Sequence, residues 1–321
     1  MTVSLPPLDI SVVRSKVGDR IVGRERETEV VLAALDAGCH LVLEGPPGTG
    51  KSTLLRAVAD SLALGFEFVE GNAELTPARL VGHFDPARVL ADGYDPDVFV
   101  DGPLVSALRD GSLLYIEELN RVPEETLNVL ITVMSERELH VPRLGRVVAA
   151  PGFRLMAAMN PFDVVGTGRI SGAMYDRVCR VRVDYQDADD ELAIVARSQP
   201  AADLVWAGGV VEVVRRTRDH ADLLVGSSVR GALDTTAVAC SLAQLRGTSL
   251  AAVGLDAALV ALSGRVRVRE GSGRRAEDII SELWDAVFRE PDRSDDEPPR
   301  PGDGRSAQRG KAHAPTGPAT S

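Results

Sequence analysis

The run Gly45-Pro46-Pro47-Gly48-Thr49-Gly50-Lys51-Ser52, followed by Thr53, has the residue types and spacing of a loop that folds around a phosphate chain. Glycines let successive backbone N–H groups turn inward, and a helix that begins at the end of the loop adds positive potential at its N-terminus. Lys51 would bring a flexible point charge to the β and γ phosphates of a nucleotide, and the Ser52 hydroxyl would ligate Mg²⁺. Only three of the 36 basic residues are lysines, Lys16, Lys51 and Lys311, so a lysine at this place is not a product of composition. Leu113-Leu-Tyr-Ile-Glu-Glu118 is an apolar run that ends in two acids. Alone, two acids suit any solvated turn. Behind a phosphate loop they suit catalysis: Glu118 to polarise a water, and Glu117 to serve Mg²⁺ through its hydration shell.

The elements that must position these groups follow from the hydrophobic pattern. Short apolar runs alternate with helical stretches from about Val12 to Tyr185, the signature of an α/β layer fold. Strands are expected over 40–43, 66–69, 112–116, 153–158 and 180–183, and a helix over 53–62. Leu113 to Ile116 and Leu155 to Ala158 are apolar without alternation, as in strands buried on both faces of a parallel sheet. Between the second and third strands Pro77, Pro86, Pro96 and Pro103 punctuate more than forty residues, too many breaks for a plain helical crossover. From Asp189 to Phe288 the pattern is helical. After Glu290 there is no bulky apolar residue, and disorder is expected there. The expected organisation is an α/β core with a parallel sheet over residues 1–187, a small all-α domain over 188–289, and a tail over 290–321.

Composition narrows the function. The 321 residues carry 36 Lys plus Arg against 47 Asp plus Glu, a formal net charge of -11, which argues against a broad grip on nucleic acid or anionic lipid. Arg215, Arg216, Arg218 and the run 265–275 read most simply as solvated or subunit-facing charges. No apolar run is long enough to span a bilayer, and Met1–Pro7 lacks the basic-then-apolar order of a secretory signal. Cys39, Cys179 and Cys240 are odd in number and scattered, which suits reduced thiols in a cytoplasmic setting. No histidines pair with each other or with cysteine at zinc spacing.

With Leu119-Asn-Arg-Val-Pro123 added, the phosphate loop and acidic strand end resemble AAA+ ATPases of the MoxR type, with Glu117 standing where that family has aspartate. The resemblance runs from about Ile21 to Leu283. Ile21-Val-Gly-Arg-Glu25, with Gly23, is similar to the loop near the adenine. Met156-Ala-Ala-Met-Asn-Pro161 resembles the strand end whose asparagine, here Asn160, helps position water. Ser171 to Val178 resembles the helix that ends in an arginine finger, here Arg177, with Arg180 and Arg169 as competitors. Gly226-Ser-Ser-Val-Arg-Gly231 resembles the lid motif whose arginine, here Arg230, touches the γ-phosphate, with Ser227 or Ser228 capping the helix that starts near Val229. Residues 80–104 and 136–148 resemble the family's helix-2 insert and pre-sensor hairpin.

What the resemblance implies is a P-loop core with a helical lid that uses ATP and Mg²⁺ and assembles into a homo-oligomeric ring, with six subunits the expected number. It further implies chaperone-like remodelling or metal-cofactor maturation of a client protein, with a von Willebrand factor A-domain protein as adaptor. Two other readings stay open from sequence: a DNA-remodelling AAA+ motor, which the acidic charge disfavours, and a nucleotide-binding regulatory subunit of low turnover, which Glu117 keeps in view.

Overall fold

The computed structural model describes residues 10–62, 64–161 and 170–289. The expected tail over 290–321 and the competitor Arg169 lie outside the described residues.

Five strands, β1 (His40–Glu44), β2 (Phe66–Glu70), β5 (Leu113–Glu117), β8 (Arg154–Met159) and β9 (Val178–Arg182), build one sheet in the order β2-β5-β8-β1-β9, all pairs parallel. The remaining strands are short antiparallel pairs: β3 (Gly82–Phe84) with β4 (Phe99–Asp101), β6 (Glu138–Val141) with β7 (Gly145–Val148), and β10 (Leu223–Val225) with β11 (Arg267–Val268). The five sheet strands lie at the expected positions within two residues, and β6–β7 is the expected hairpin. β10–β11 is a two-stranded clip inside the otherwise helical region, with too few residues to leave a pattern in the sequence.

Alternation sorts each strand between two cores. Leu41, Leu43, Leu113, Tyr115, Met156 and Ala158 face helices Ile10–Gly18, Glu25–Asp36 and Lys51–Leu62. Val42, Leu114, Ile116, Leu155 and Ala157 face helices Pro103–Asp110 and Glu124–Glu136 on the other side. Both faces are covered, so these strands show apolar runs in place of alternation. In the proline-punctuated segment, Pro77, Pro86, Pro96 and Pro103 each stand in the first turn of a short helix. There the missing N–H is no loss and the fixed φ suits the helix.

Helices Ala188–Ser198, Leu204–Asp219, Val229–Arg246, Leu250–Leu262 and Ala276–Phe288 enclose a third core around Trp206, Val210, Ile280 and Trp284. Asp187 and Asp203 cap the first two, accepting from the amides of Asp190 and Trp206. Two of the arginines expected to be solvated or subunit-facing pair with an acid of this region itself. Arg218 donates to Glu191 at 2.7 Å and stacks over Tyr185 at 4.0 Å, and Arg215 reaches Glu191 at 3.2 Å and the Gln186 carbonyl at 2.9 Å. Glu191 is buried, and a buried carboxylate requires such partners. Among the described residues no helix is long and apolar enough to cross a membrane.

His40 opens β1 in a buried position, where its Nδ1 accepts a hydrogen bond from the Leu155 amide at 2.9 Å. Burial, reinforced by the nearby Arg154 and Arg137, pulls its pKa from 6.5 to about 4. The unfolded chain takes up a proton below pH 6.5 while the folded one stays neutral to about pH 4. Stability is therefore lost as pH falls through that window, on the order of 3 kcal/mol in full. His40→Asn keeps an acceptor but does not titrate. Its melting temperature is expected to fall less steeply than the parent's between pH 6.5 and 4, and an equal slope would show that His40 is not the group responsible.

Candidate functional site

β1 ends at Glu44, and the phosphate loop leads into helix Lys51–Leu62. Gly48 sits at φ +72°, and a Cβ there would lie 2.2 Å from Ser228 Oγ, so only glycine admits both the turn and the neighbour. The Thr49 hydroxyl donates to the Pro46 carbonyl at 2.9 Å. Lys51 Nζ donates to the carbonyls of Gly45 and Pro46 at 2.9 and 2.7 Å. Burial pulls Lys51 from 10.5 down to about 8, opposed by Glu117 and helped by Arg24 and Arg230. A polyanion in the loop would favour its charged form.

The acidic end of β5 lies beside this loop. Ser52 Oγ donates to the Glu117 carboxylate. Glu118 follows in the left-handed region, at φ 52°, and its carboxylate pairs with Arg121 at 3.1 Å. Such a conformation costs energy for a residue with a Cβ and places the side chain at a sharp strand-to-helix turn. Asn160, just past β8, accepts a hydrogen bond at its carbonyl from Asn120 Nδ2 at 3.1 Å. Pro47, Gly48, Thr49, Gly50, Lys51, Ser52, Thr53, Glu117, Glu118, Asn160 and Arg230 line one cavity of about 160 Å³.

A second cavity, of about 380 Å³, shares Gly48, Thr49, Gly50, Thr53 and Arg230 with the first. Its other walls are Ile21, Val22 and Arg24 on one side and Ile194, Arg197, Val229 and Leu233 of the helical region on the other. The first cavity carries Lys51, Glu117, Glu118 and Arg230, and the second adds the aliphatic Ile21, Val22, Ile194, Val229 and Leu233. Gly23 turns the entry segment at φ +64° against the Asp190 carboxylate, where a Cβ would lie 1.9 Å from Oδ2. Ser228 stands at the N-cap position of helix Val229–Arg246 without a side-chain capping bond; its Oγ is packed against Gly48. Of the two serines expected to cap the helix, Ser228 thus closes the gap to the loop and the Ser227 hydroxyl donates to the Ser228 carbonyl.

Arg177 lines neither cavity. Its Nε donates to Ser135 Oγ at 2.5 Å and its Nη1 to the Ala173 carbonyl at 2.8 Å. Arg180 lies 3.6 Å from Glu44, the last residue of β1, and the Tyr175 hydroxyl donates to Glu44 at 2.8 Å.

The residue that sequence reasoning left without a role is Arg24. It is 6% exposed, and its guanidinium donates to the Thr49 carbonyl at 2.9 Å, the Asp184 carbonyl at 2.6 Å and Glu27 at 3.1 Å. It ties the entry segment, the phosphate loop and the exit from β9 together. The signal was an arginine next to a glycine at the start of a helix, in a chain too rich in arginine for that to stand out.

The donor set fits Mg²⁺. Ser52 Oγ gives its hydrogen to Glu117 and keeps a lone pair for a cation, and hard oxygen donors with room for water and phosphate are what Mg²⁺ requires.

Residues 40–178 match the family model of the AAA domain, dynein-related subfamily. The Thermotoga maritima RuvB Holliday junction branch migration motor superposes with a TM-score of 0.50 at 16% identity, over 86% of this chain and 73% of that one. A RuvB variant from the same organism gives 0.51 at 16% identity, over 84% and 72%. The fold is that of the AAA+ P-loop NTPases. An uncharacterized protein of Staphylococcus epidermidis is 36% identical over 152 residues, 47% of this chain and 57% of that protein. One of Staphylococcus aureus is 35% identical over 159 residues, 49% and 60%. The chain thus spans less than two thirds of the length of these curated relatives.

Replacing Arg24 removes bonds to two carbonyls and leaves Glu27 without this partner. Arg24→Met is expected to cost roughly 3 kcal/mol in denaturant unfolding. A loss below about 0.5 kcal/mol would mean that the clamp contributes little to the fold.

Proposed function

We propose that this chain is an ATPase of the MoxR type that converts the energy of ATP hydrolysis into movement of a partner protein. The observation that carries this reading is the convergence of three separate segments on one cavity: the phosphate loop, the paired acids Glu117 and Glu118, and Arg230 from the helical region. A structural turn has no need of an arginine and two carboxylates facing the same glycine-rich loop. In this reading residues 1–187 act as the nucleotide-binding core and 188–289 as the lid.

ATP would lie with its base between Ile21, Val22 and the lid, and with its phosphates on the amides of residues 48–53. Lys51 and Arg230 would neutralise the terminal phosphate. Mg²⁺, held by Ser52 with Glu117 acting through its water shell, would shield charge on the β and γ oxygens. Glu118 and Asn160 would orient the attacking water. Glu118 reaches that task by leaving Arg121, a short movement for an exposed ion pair worth little on its own. Arg177, outside its own subunit's cavities, is assigned to the nucleotide of a neighbouring subunit. The site is then complete only in a ring, for which six subunits is the expected size. The partner is assigned as a client protein met through a von Willebrand factor A-domain adaptor, and the work as chaperone-like remodelling or metal-cofactor maturation. The net charge of -11 supports a protein client over DNA.

Glu118→Gln is expected to bind ATP and hydrolyse it very slowly, because the phosphate cradle survives while the water loses its carboxylate; Lys51→Ala is expected to weaken binding as well. Turnover at the parent rate in Glu118→Gln would remove Glu118 from the mechanism, and strong stimulation by DNA would favour a nucleic-acid motor.

An arginine finger is worth on the order of 10³ to 10⁵ in rate, so Arg177→Ala alone and Lys51→Ala alone should both turn over poorly. In mixed rings, an Arg177→Ala subunit keeps its phosphate loop and can take Arg177 from a Lys51→Ala neighbour. Mixing the two is expected to restore measurable ATPase activity. No recovery despite demonstrated subunit exchange would show that Arg177 acts within its own subunit or not at all.

A further inference from the structure

Two residues apart on β5, Tyr115 and Glu117 project on the same face, and helix Lys51–Leu62 lies across that face. Glu117, at the strand end, reaches Ser52 in the first turn of the helix. Tyr115, one pleat earlier and fully buried, is long enough to reach the same atom. Its hydroxyl donates to Ser52 Oγ at 3.0 Å. The ring is fixed by Phe66 and Phe68, each with its centroid 5.7 Å away.

A serine hydroxyl has one hydrogen and two lone pairs. At Ser52 the hydrogen goes to Glu117 and one lone pair to Tyr115. One lone pair is left, and it is the one a cation would use. The hydroxyl is therefore held in a single rotational state before a metal arrives. A glutamate at 117 has one more rotatable bond than an aspartate and holds the serine less firmly by itself. The buried Tyr115 hydroxyl, bonded to the same oxygen, supplies a second constraint.

We propose that Tyr115 is a positioning residue for the metal: it orients the Ser52 hydroxyl so that its free lone pair faces Mg²⁺, and thereby sets the Mg²⁺ concentration at which nucleotide is held tightly. This rests on the reading of the cleft as an ATP site. Tyr115 touches neither nucleotide nor metal. Its effect is confined to the metal-dependent part of binding, whereas a merely structural role would weaken binding with and without metal alike.

The test is nucleotide binding by the full chain in the Glu118→Gln background, followed with an ATP analogue fluorescent at its ribose, first in EDTA and then across a Mg²⁺ titration. Tyr115→Phe keeps the ring and its packing and removes only the hydroxyl. The metal-free affinity is expected to stay unchanged while the half-saturating Mg²⁺ concentration rises on the order of 10-fold. Added to Ser52→Ala, the same substitution is expected to have no further effect, because the hydroxyl it orients is gone. An unchanged Mg²⁺ dependence, or an equal loss with and without metal, would overturn the role of Tyr115 and leave the ATP site standing. Failure of the parent to bind the analogue under either condition would overturn the ATP site itself.

Discussion

The place of β1 inside a parallel sheet, between β8 and β9, is the constraint on which the rest depends. Because β1 pairs with both β8 and β9, and β8 with β5, the carboxyl ends of these strands come to one edge: Glu44 stands opposite Met159, and Ile116 opposite Ala157. The groups that the sheet contributes to the site leave it there. The phosphate loop follows Glu44, the acids end β5, and Asn160 follows β8. A shift of one residue in the register of β5 would turn its side chains to the opposite face, taking Tyr115 and Glu117 away from Ser52 together.

The helical region meets that edge at the two cavities. Ser228 rests on Gly48, Arg230 lines both cavities, and Val229 and Leu233 share the larger one with Ile21 and Val22. Within the region Glu191 joins helices Ala188–Ser198 and Leu204–Asp219 through Arg215 and Arg218, the latter bonded also to the Ser227 carbonyl. Buried carboxylates are poor sources of stability but strongly directional, since an unpaired one is costly. They suit an element that must present a serine and an arginine at fixed points. Arg24 does the same from the core side, fixing the loop by bonds to carbonyls in place of hydrophobic packing.

Much of the fold could be read from residue order. Leu113 to Ile116 and Leu155 to Ala158 announced buried strands because both faces of the sheet are covered, and the strand–loop–helix context of residues 40–62 follows from its glycines and its apolar runs. The first-turn role of Pro77, Pro86, Pro96 and Pro103 was less legible: a proline says where a helix cannot continue, and here it marks where one begins. The pairing of Arg215 and Arg218 with Glu191 was not legible, because one-dimensional pattern carries no sign of a buried acid more than twenty residues earlier.

By itself the sequence determined the phosphate loop, the acidic strand end, the sheet strands and the amphipathic helices, all of which are local properties of spacing and hydropathy. Only the tertiary structure decided that Arg24 clamps Thr49, that Ser228 packs on Gly48 rather than capping its own helix, and that Tyr115 and Glu117 share the hydroxyl of Ser52. The physical reason is that a hydrogen bond depends on distances of about 3 Å between groups that chain order leaves tens of residues apart. Sheet order and strand register, set by the burial of whole faces, bring those groups within reach.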